Sequence, residues 1–87
     1  MTYRIEFAKK AAKAFKTLPV QEQRRMRPKI DALAETPRPT GAVKLSGEES
    51  LYRIRVGNYR IIYAVEDKEL LILVVTLGHR GGVYRNL

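Results

Sequence analysis

The stretch Ser50–Val65, SLYRIRVGNYRIIYAV, sets two alternating runs on either side of Gly57-Asn58. That pattern predicts a tight two-residue β-hairpin turn. In this register Val56 faces Tyr59, and Arg55 faces Arg60. Tyr52, Ile54, Val56, Tyr59, Ile61, Tyr63 and Val65 then share one face, an apolar set suited to packing under helices, while Arg53, Arg55 and Arg60 share the other. Like charges directly opposite one another destabilise a sheet. Exposed strands do carry cations to discourage edge pairing, but alternating signs would give solubility at a gain instead of a loss. The opposed arginines therefore call for an anion from outside, because clustered guanidiniums hold phosphate through bidentate hydrogen bonds.

Outward from the hairpin, the pattern changes period twice. TYRIEF alternates Tyr3, Ile5 and Phe7 with Thr2, Arg4 and Glu6, which predicts a half-buried strand. Ala8, Ala11, Ala12, Phe15 and Leu18 fall on one face of a short amphipathic helix, with Lys9, Lys10, Lys13 and Lys16 mostly off it. Pro19 opens a second helix, in which Met26, Ile30 and Leu33 keep helical spacing toward Thr36-Pro37. Pro28 sits inside it, and an interior proline predicts a kink or break near Arg27. TPRPTGAVKLSGEES is loop by composition and leads into the sheet through Val43 to Leu45. After a turn at Asp67-Lys68, LLILVVTL has apolar residues at both parities, as a central strand does. If that turn has two residues, Leu71, Leu73, Val75 and His79 join the arginine side, and one extra residue reverses them. The order is β-α-α-β-β-β, an α+β domain spanning residues 1–87 with two helices on one face of a mainly antiparallel sheet.

The chain has 87 residues, 45% of them apolar, enough for one modest core. It contains no cysteine, which excludes disulfides, a thiolate metal site and a cysteine nucleophile. Its longest apolar run, Leu70 to Leu77, falls far short of the roughly 20 residues of a membrane span. The charged start MTYRIEFAKK does not read as a signal peptide, so a cytoplasmic location is expected. Lys and Arg number 17 against 9 Asp and Glu, for a net charge of +8, which favours a polyanionic partner.

The remaining candidates follow the last strand in LGHRGGVYRNL. His79 is the only histidine, and its unperturbed pKa near 6.5 suits proton exchange at neutral pH. With Arg80 and Tyr84 it makes a polar cluster beside the arginine patch, and Gly81-Gly82 permits close backbone approach. No metal-ligand cluster, Walker loop or dinucleotide fingerprint is present in the sequence, so no cofactor is expected. Attack of an RNA 2′-hydroxyl on its own phosphate needs a base, cations for the pentacoordinate charge and an acid for the leaving oxygen. Arginine supplies the second and, with a pKa above 12, not the first.

YRIRVGNYRIIYAVEDKELLILVVTLGHRGGVYR resembles the RelE family of toxins, within the RelE/ParE superfamily. YRIEFAKKAAKAFKTLP and KLSG are similar to that family's first strand, first helix and pre-hairpin segment. The resemblance implies a toxin of a type II toxin-antitoxin pair that cleaves mRNA in the ribosomal A site, leaving a 2′,3′-cyclic phosphate and a 5′-hydroxyl. It assigns Arg53, Arg55 and Arg60 to the RNA phosphate, Arg80 to phosphate charge or the leaving group, and Tyr84 to base stacking or proton transfer. Some relatives carry lysines where this chain has Arg53 and Arg55. The base is then Tyr84, His79 or a ribosomal group. Implied partners are a RelB-like antitoxin in a heteromeric complex, the ribosome and its mRNA. Lys9, Lys10 and Lys13 are candidate docking cations for ribosomal RNA, the alternative being an ordinary solvated helix face. The alternatives are a non-nucleolytic ParE-like inhibitor of DNA gyrase and a plain RNA-binding module.

Overall fold

Tyr3, Ile5 and Phe7 pack into the core from one side of strand β1 (Arg4–Phe7), as a period of two requires. The computed structural model of the chain describes residues 2–45, 47 and 50–79. Helix α1 (Lys9–Thr17) buries Ala11 and lays Ala14 and Phe15 against the core. Its end is dictated locally: Leu18 precedes a proline, which disfavours helical backbone, and it is extended with ψ 148°. Pro19 caps helix α2 (Val20–Ala32) instead of occupying its first turn, and its carbonyl accepts from the Glu22 and Gln23 amides at 2.9 and 3.1 Å.

Helix α2 runs without interruption through Pro28, contrary to the expected break. The hydrogen bond that proline forfeits belongs to the Arg24 carbonyl, and both residues are exposed, so the loss does not fall in the core. Met26 and Ile30, buried to 1% and 0% exposure on either side of Pro28, hold the helix against the sheet.

Strands β2 (Val43–Lys44), β3 (Leu51–Val56), β4 (Tyr59–Glu66) and β5 (Leu71–His79) complete a sheet of order β1-β5-β4-β3-β2. Among the described residues only β1 and β5 run parallel. The α+β architecture and its mainly antiparallel sheet are as the pattern predicts, with β2 as an added edge strand. Ile30 of α2 and Leu33 at its C-cap meet Ile61, Tyr63, Ile72 and Val74 of the central strands in one core, on one side of the sheet. Each such side chain contributes about 1.5–3 kcal/mol by burial.

The β4–β5 connection departs from expectation in two ways that matter later. It is a 3-10 turn at Asp67–Glu69 followed by Leu70 at φ 50°, so four residues stand where two were expected. The even addition preserves parity: Leu71 and Leu73 face Glu66 and Ala64 on the arginine side. Opposite Ile62/Tyr63, β5 then bulges, with Val74 opposite Tyr63 and Thr76 opposite Ile62. Val75 is the extra residue, and every side chain beyond it changes face.

A polar network ties this end of the sheet together. Tyr3 Oη donates to Asp67 Oδ1 at 2.6 Å, and Arg38 Nη2 donates to Asp67 Oδ2 at 2.7 Å. Arg38 Nε donates to Tyr52 Oη at 2.9 Å, Tyr52 stacks on Tyr63 at 5.9 Å, and Tyr63 Oη donates to the Pro37 carbonyl at 2.7 Å. Burial, reinforced by Tyr52, pushes the Tyr63 phenol up to about 12. Hydrogen bonds from Arg38 first and Tyr3 second hold the Asp67 carboxyl below its ordinary value. A carboxyl depressed in the folded state adds stability above its unfolded pKa, near 3.9, and loses it as pH falls through the folded value. In urea titrations Asp67→Asn is therefore expected to unfold earlier than the parent at neutral pH. The gap closes below about pH 4, and a gap independent of pH would refute the linkage.

Candidate anion site on the sheet face opposite the helices

Strand register alone brings three of the predicted cations together. Arg55 lies directly across from Arg60, and Arg53 from Ile62, on the face turned away from the helices. Because Val56 and Tyr59 close a two-residue turn as a hydrogen-bonded pair, Arg55 and Arg60 form the non-hydrogen-bonded pair beyond it. Such pairs have the closer side chains, with Cα atoms about 4.5 Å apart. On its other side Arg60 faces Gly78, which leaves room beside the guanidinium.

Beneath the arginines lies an apolar floor. Ile62 is fully buried, with Thr76 and Ala64 at 4% and 7% exposure, on the face opposite the main core. The Nε atoms of Arg53 and Arg60 are buried while both residues remain partly exposed, so their stems lie along that floor. A floor of low polarity strengthens the attraction of these cations for an anion. Arg55 is exposed, and among the described residues no carboxylate pairs with it. Glu6, Glu22, Asp31 and Asp67 engage Arg4, Arg25, Arg27 and Arg38 instead. Glu66 lies at the far end of β4 from Arg60, roughly 20 Å away at strand rise. The arrangement can hold and neutralise a phosphate.

His79 is not on this face. The β5 bulge sets it opposite Tyr59, with ring centroids 4.4 Å apart, on the helix side. This corrects the expected placement of His79: with Val75 as the extra residue, Thr76 moves onto the arginine face opposite Ile62 and His79 leaves it. Lys9, Lys10 and Lys13 are exposed on α1, across the molecule from the arginines. Arg80 and Tyr84 lie outside the described residues.

Sequence reasoning missed one cation at the hairpin tip. A Cβ on Gly57 would lie 3.0 Å from Arg25 Nη1, so the guanidinium from α2 packs on the turn. No strand pattern signals this, because it depends on how α2 crosses the sheet. Gly57 also has φ +61°, a conformation that costs a side-chain-bearing residue about 1–2 kcal/mol. Gly57→Ala should lower stability by about that amount in urea unfolding, and an unchanged midpoint would refute the strain.

The chain is similar to known proteins over most of its length. A family model described as the ParE toxin of type II toxin-antitoxin systems, parDE, matches residues 5–84. The mRNA interferase toxin RelE of Escherichia coli K12 is 29% identical over 82 residues, 92% of this chain and 85% of that protein. Among solved structures, the archaeal RelE–RelB complex from Pyrococcus horikoshii OT3 superposes with TM-score 0.82 at 38% identity, covering 94% of this chain and 99% of that one. The intact E. coli RelBE toxin-antitoxin complex gives TM-score 0.80 at 26% identity, covering 90% and 96%. The chain belongs to the RelE/ParE family of type II toxin-antitoxin toxins, and its relatives are RelE toxins.

Proposed function

We propose that the chain is a single-domain mRNA endonuclease that acts in the ribosomal A site and needs no metal or other cofactor. The observation that carries this is the opposed pair Arg55 and Arg60, with Arg53 beside it, over an apolar floor. A 2′-hydroxyl of the mRNA attacks the adjacent phosphorus, the new O2′–P bond forms, and the P–O5′ bond breaks. The products are a 2′,3′-cyclic phosphate and a 5′-hydroxyl. Arg53, Arg55 and Arg60 hold the phosphate and the charge that builds on it, and Arg80 stabilises that charge or the leaving oxygen. None of them removes the proton of the 2′-hydroxyl. With His79 on the helix side, that step falls to Tyr84 or to a ribosomal group; a phenol serves as base only once cations lower its pKa.

Its partners in this reading are the ribosome with its mRNA and a RelB-like antitoxin in a heteromeric complex. Two of the solved relatives are toxin-antitoxin complexes, and a cationic surface of this kind suits an acidic, wrapping segment. Lys9, Lys10 and Lys13 give α1 an exposed cationic edge for ribosomal RNA. Among the described residues no helix is long and apolar enough to cross a membrane. The place of action in this reading is the cytoplasm, where ribosomes are.

Toeprinting of translating ribosomes with purified protein tests this: new stops within A-site codons are expected, and none at any dose would overturn it. The ParE description of the family model favours a second reading, inhibition of DNA gyrase without RNA cutting. Loss of gyrase supercoiling activity with intact mRNA selects that second reading.

A further inference from the structure

We propose that the pocket between α2 and the free edge of β3 is a nucleobase subsite, holding a base of the RNA whose phosphate lies on Arg55 and Arg60. This rests on the anion-site reading above. The pocket measures about 270 Å³, with buried Leu33, Ile54 and Val56 on its apolar side and exposed Lys29, Thr36 and Arg55 at its rim. Arg55 therefore belongs to both sites, and a ribose-phosphate chain crossing it reaches from one to the other.

The backbone sharpens the chemistry. Strand β2 pairs only with Tyr52 and Arg53, so among the described residues β3 has no neighbouring strand from Ile54 onward. Ile54 and Val56 direct their peptide groups toward β4, as the two-residue turn requires, and Arg55 directs its own N–H and C=O outward. The Leu45 amide donating to the Leu51 carbonyl at 2.9 Å fixes the same parity. One donor and one acceptor thus stand side by side at the mouth of an apolar slot. A nucleobase presents the complement: flat apolar faces and an edge with adjacent donor and acceptor groups. One outward peptide unit is a poor template for an added strand, which typically runs about 5–6 residues. Lys29 and Arg55 favour a ligand that carries phosphate.

The test is methyl and guanidinium NMR of the full chain, titrated with the four homo-trinucleotides of RNA, each 2′-O-methylated so that it cannot be cut, and with an abasic counterpart. At least one base-bearing trinucleotide is expected to move the methyl signals of Leu33, Ile54 and Val56, and the abasic one is not. Both should move the arginine signals. Ala32→Leu, which fills the pocket from an exposed helical position without removing charge, should weaken base-bearing ligands by about tenfold, to the abasic level. Thr36→Val serves as a second pocket variant. Equal methyl responses to abasic and base-bearing ligands, or no methyl response, would overturn the subsite. Silent arginine signals would overturn the anion site instead, so the two failures are read from different nuclei.

Discussion

Arg60→Gln is expected to lower mRNA cleavage on the ribosome by about 10²–10³-fold, the usual loss when one fixed donor to a transition-state oxyanion is removed. Arg60 is the central cation of the site: it faces Arg55 on one side and the side-chain-free Gly78 on the other, and its stem lies on the Ile62 floor. Glutamine keeps a stem and a donor but neither the charge nor the fork that grips a phosphate in two places. Folding should survive, because the main core on the helix side does not include this residue. Single-turnover cleavage, with urea unfolding run in parallel, checks both halves. A loss below tenfold in a folded variant would remove Arg60 from the chemistry.

Arg55→Glu should abolish cleavage and yet stabilise the fold. The substitution turns a like-charge pair at the closest kind of cross-strand position into an ion pair, for a gain of roughly 0.2–1 kcal/mol. Arg55→Glu combined with Arg60→Glu restores a like-charge pair and should lose the gain. That pattern separates electrostatics across the strands from a general effect of lowering net charge, under which the double variant would be the more stable. An anion seated between the two guanidiniums would offset the cross-strand repulsion. If Arg55→Glu is no more stable than the parent, the opposed arginines cost nothing and need no such explanation.

The hairpin was legible because two independent signals agree there: alternation fixes which residues share a face, and Gly57-Asn58 fixes the register. Arg53, Arg55 and Arg60 were found by that register alone, and the structure sets them as read. His79 was misassigned because a bulge leaves no mark in an apolar run such as LLILVVTL, where both parities are hydrophobic. Pro28 misled for a related reason: local propensity predicts a break, and the burial of Met26 and Ile30 overrides it. Arg25 on the Gly57 turn and the link from Arg38 to Asp67, 29 positions apart, are tertiary juxtapositions with no periodic signal. What the sequence showed was what repeats along one strand or helix, and what it hid was where separate elements meet.

The most direct test is end-mapping of mRNA in a defined ribosomal complex with an empty A site, treated with the purified chain, with Arg60→Gln and with Arg55→Glu. Expected is one cut inside the A-site codon, bearing a 2′,3′-cyclic phosphate, made by the parent and lost in both variants. Intact mRNA with the parent protein, or undiminished cutting by the variants, would contradict the assignment of the opposed arginines to a scissile phosphate.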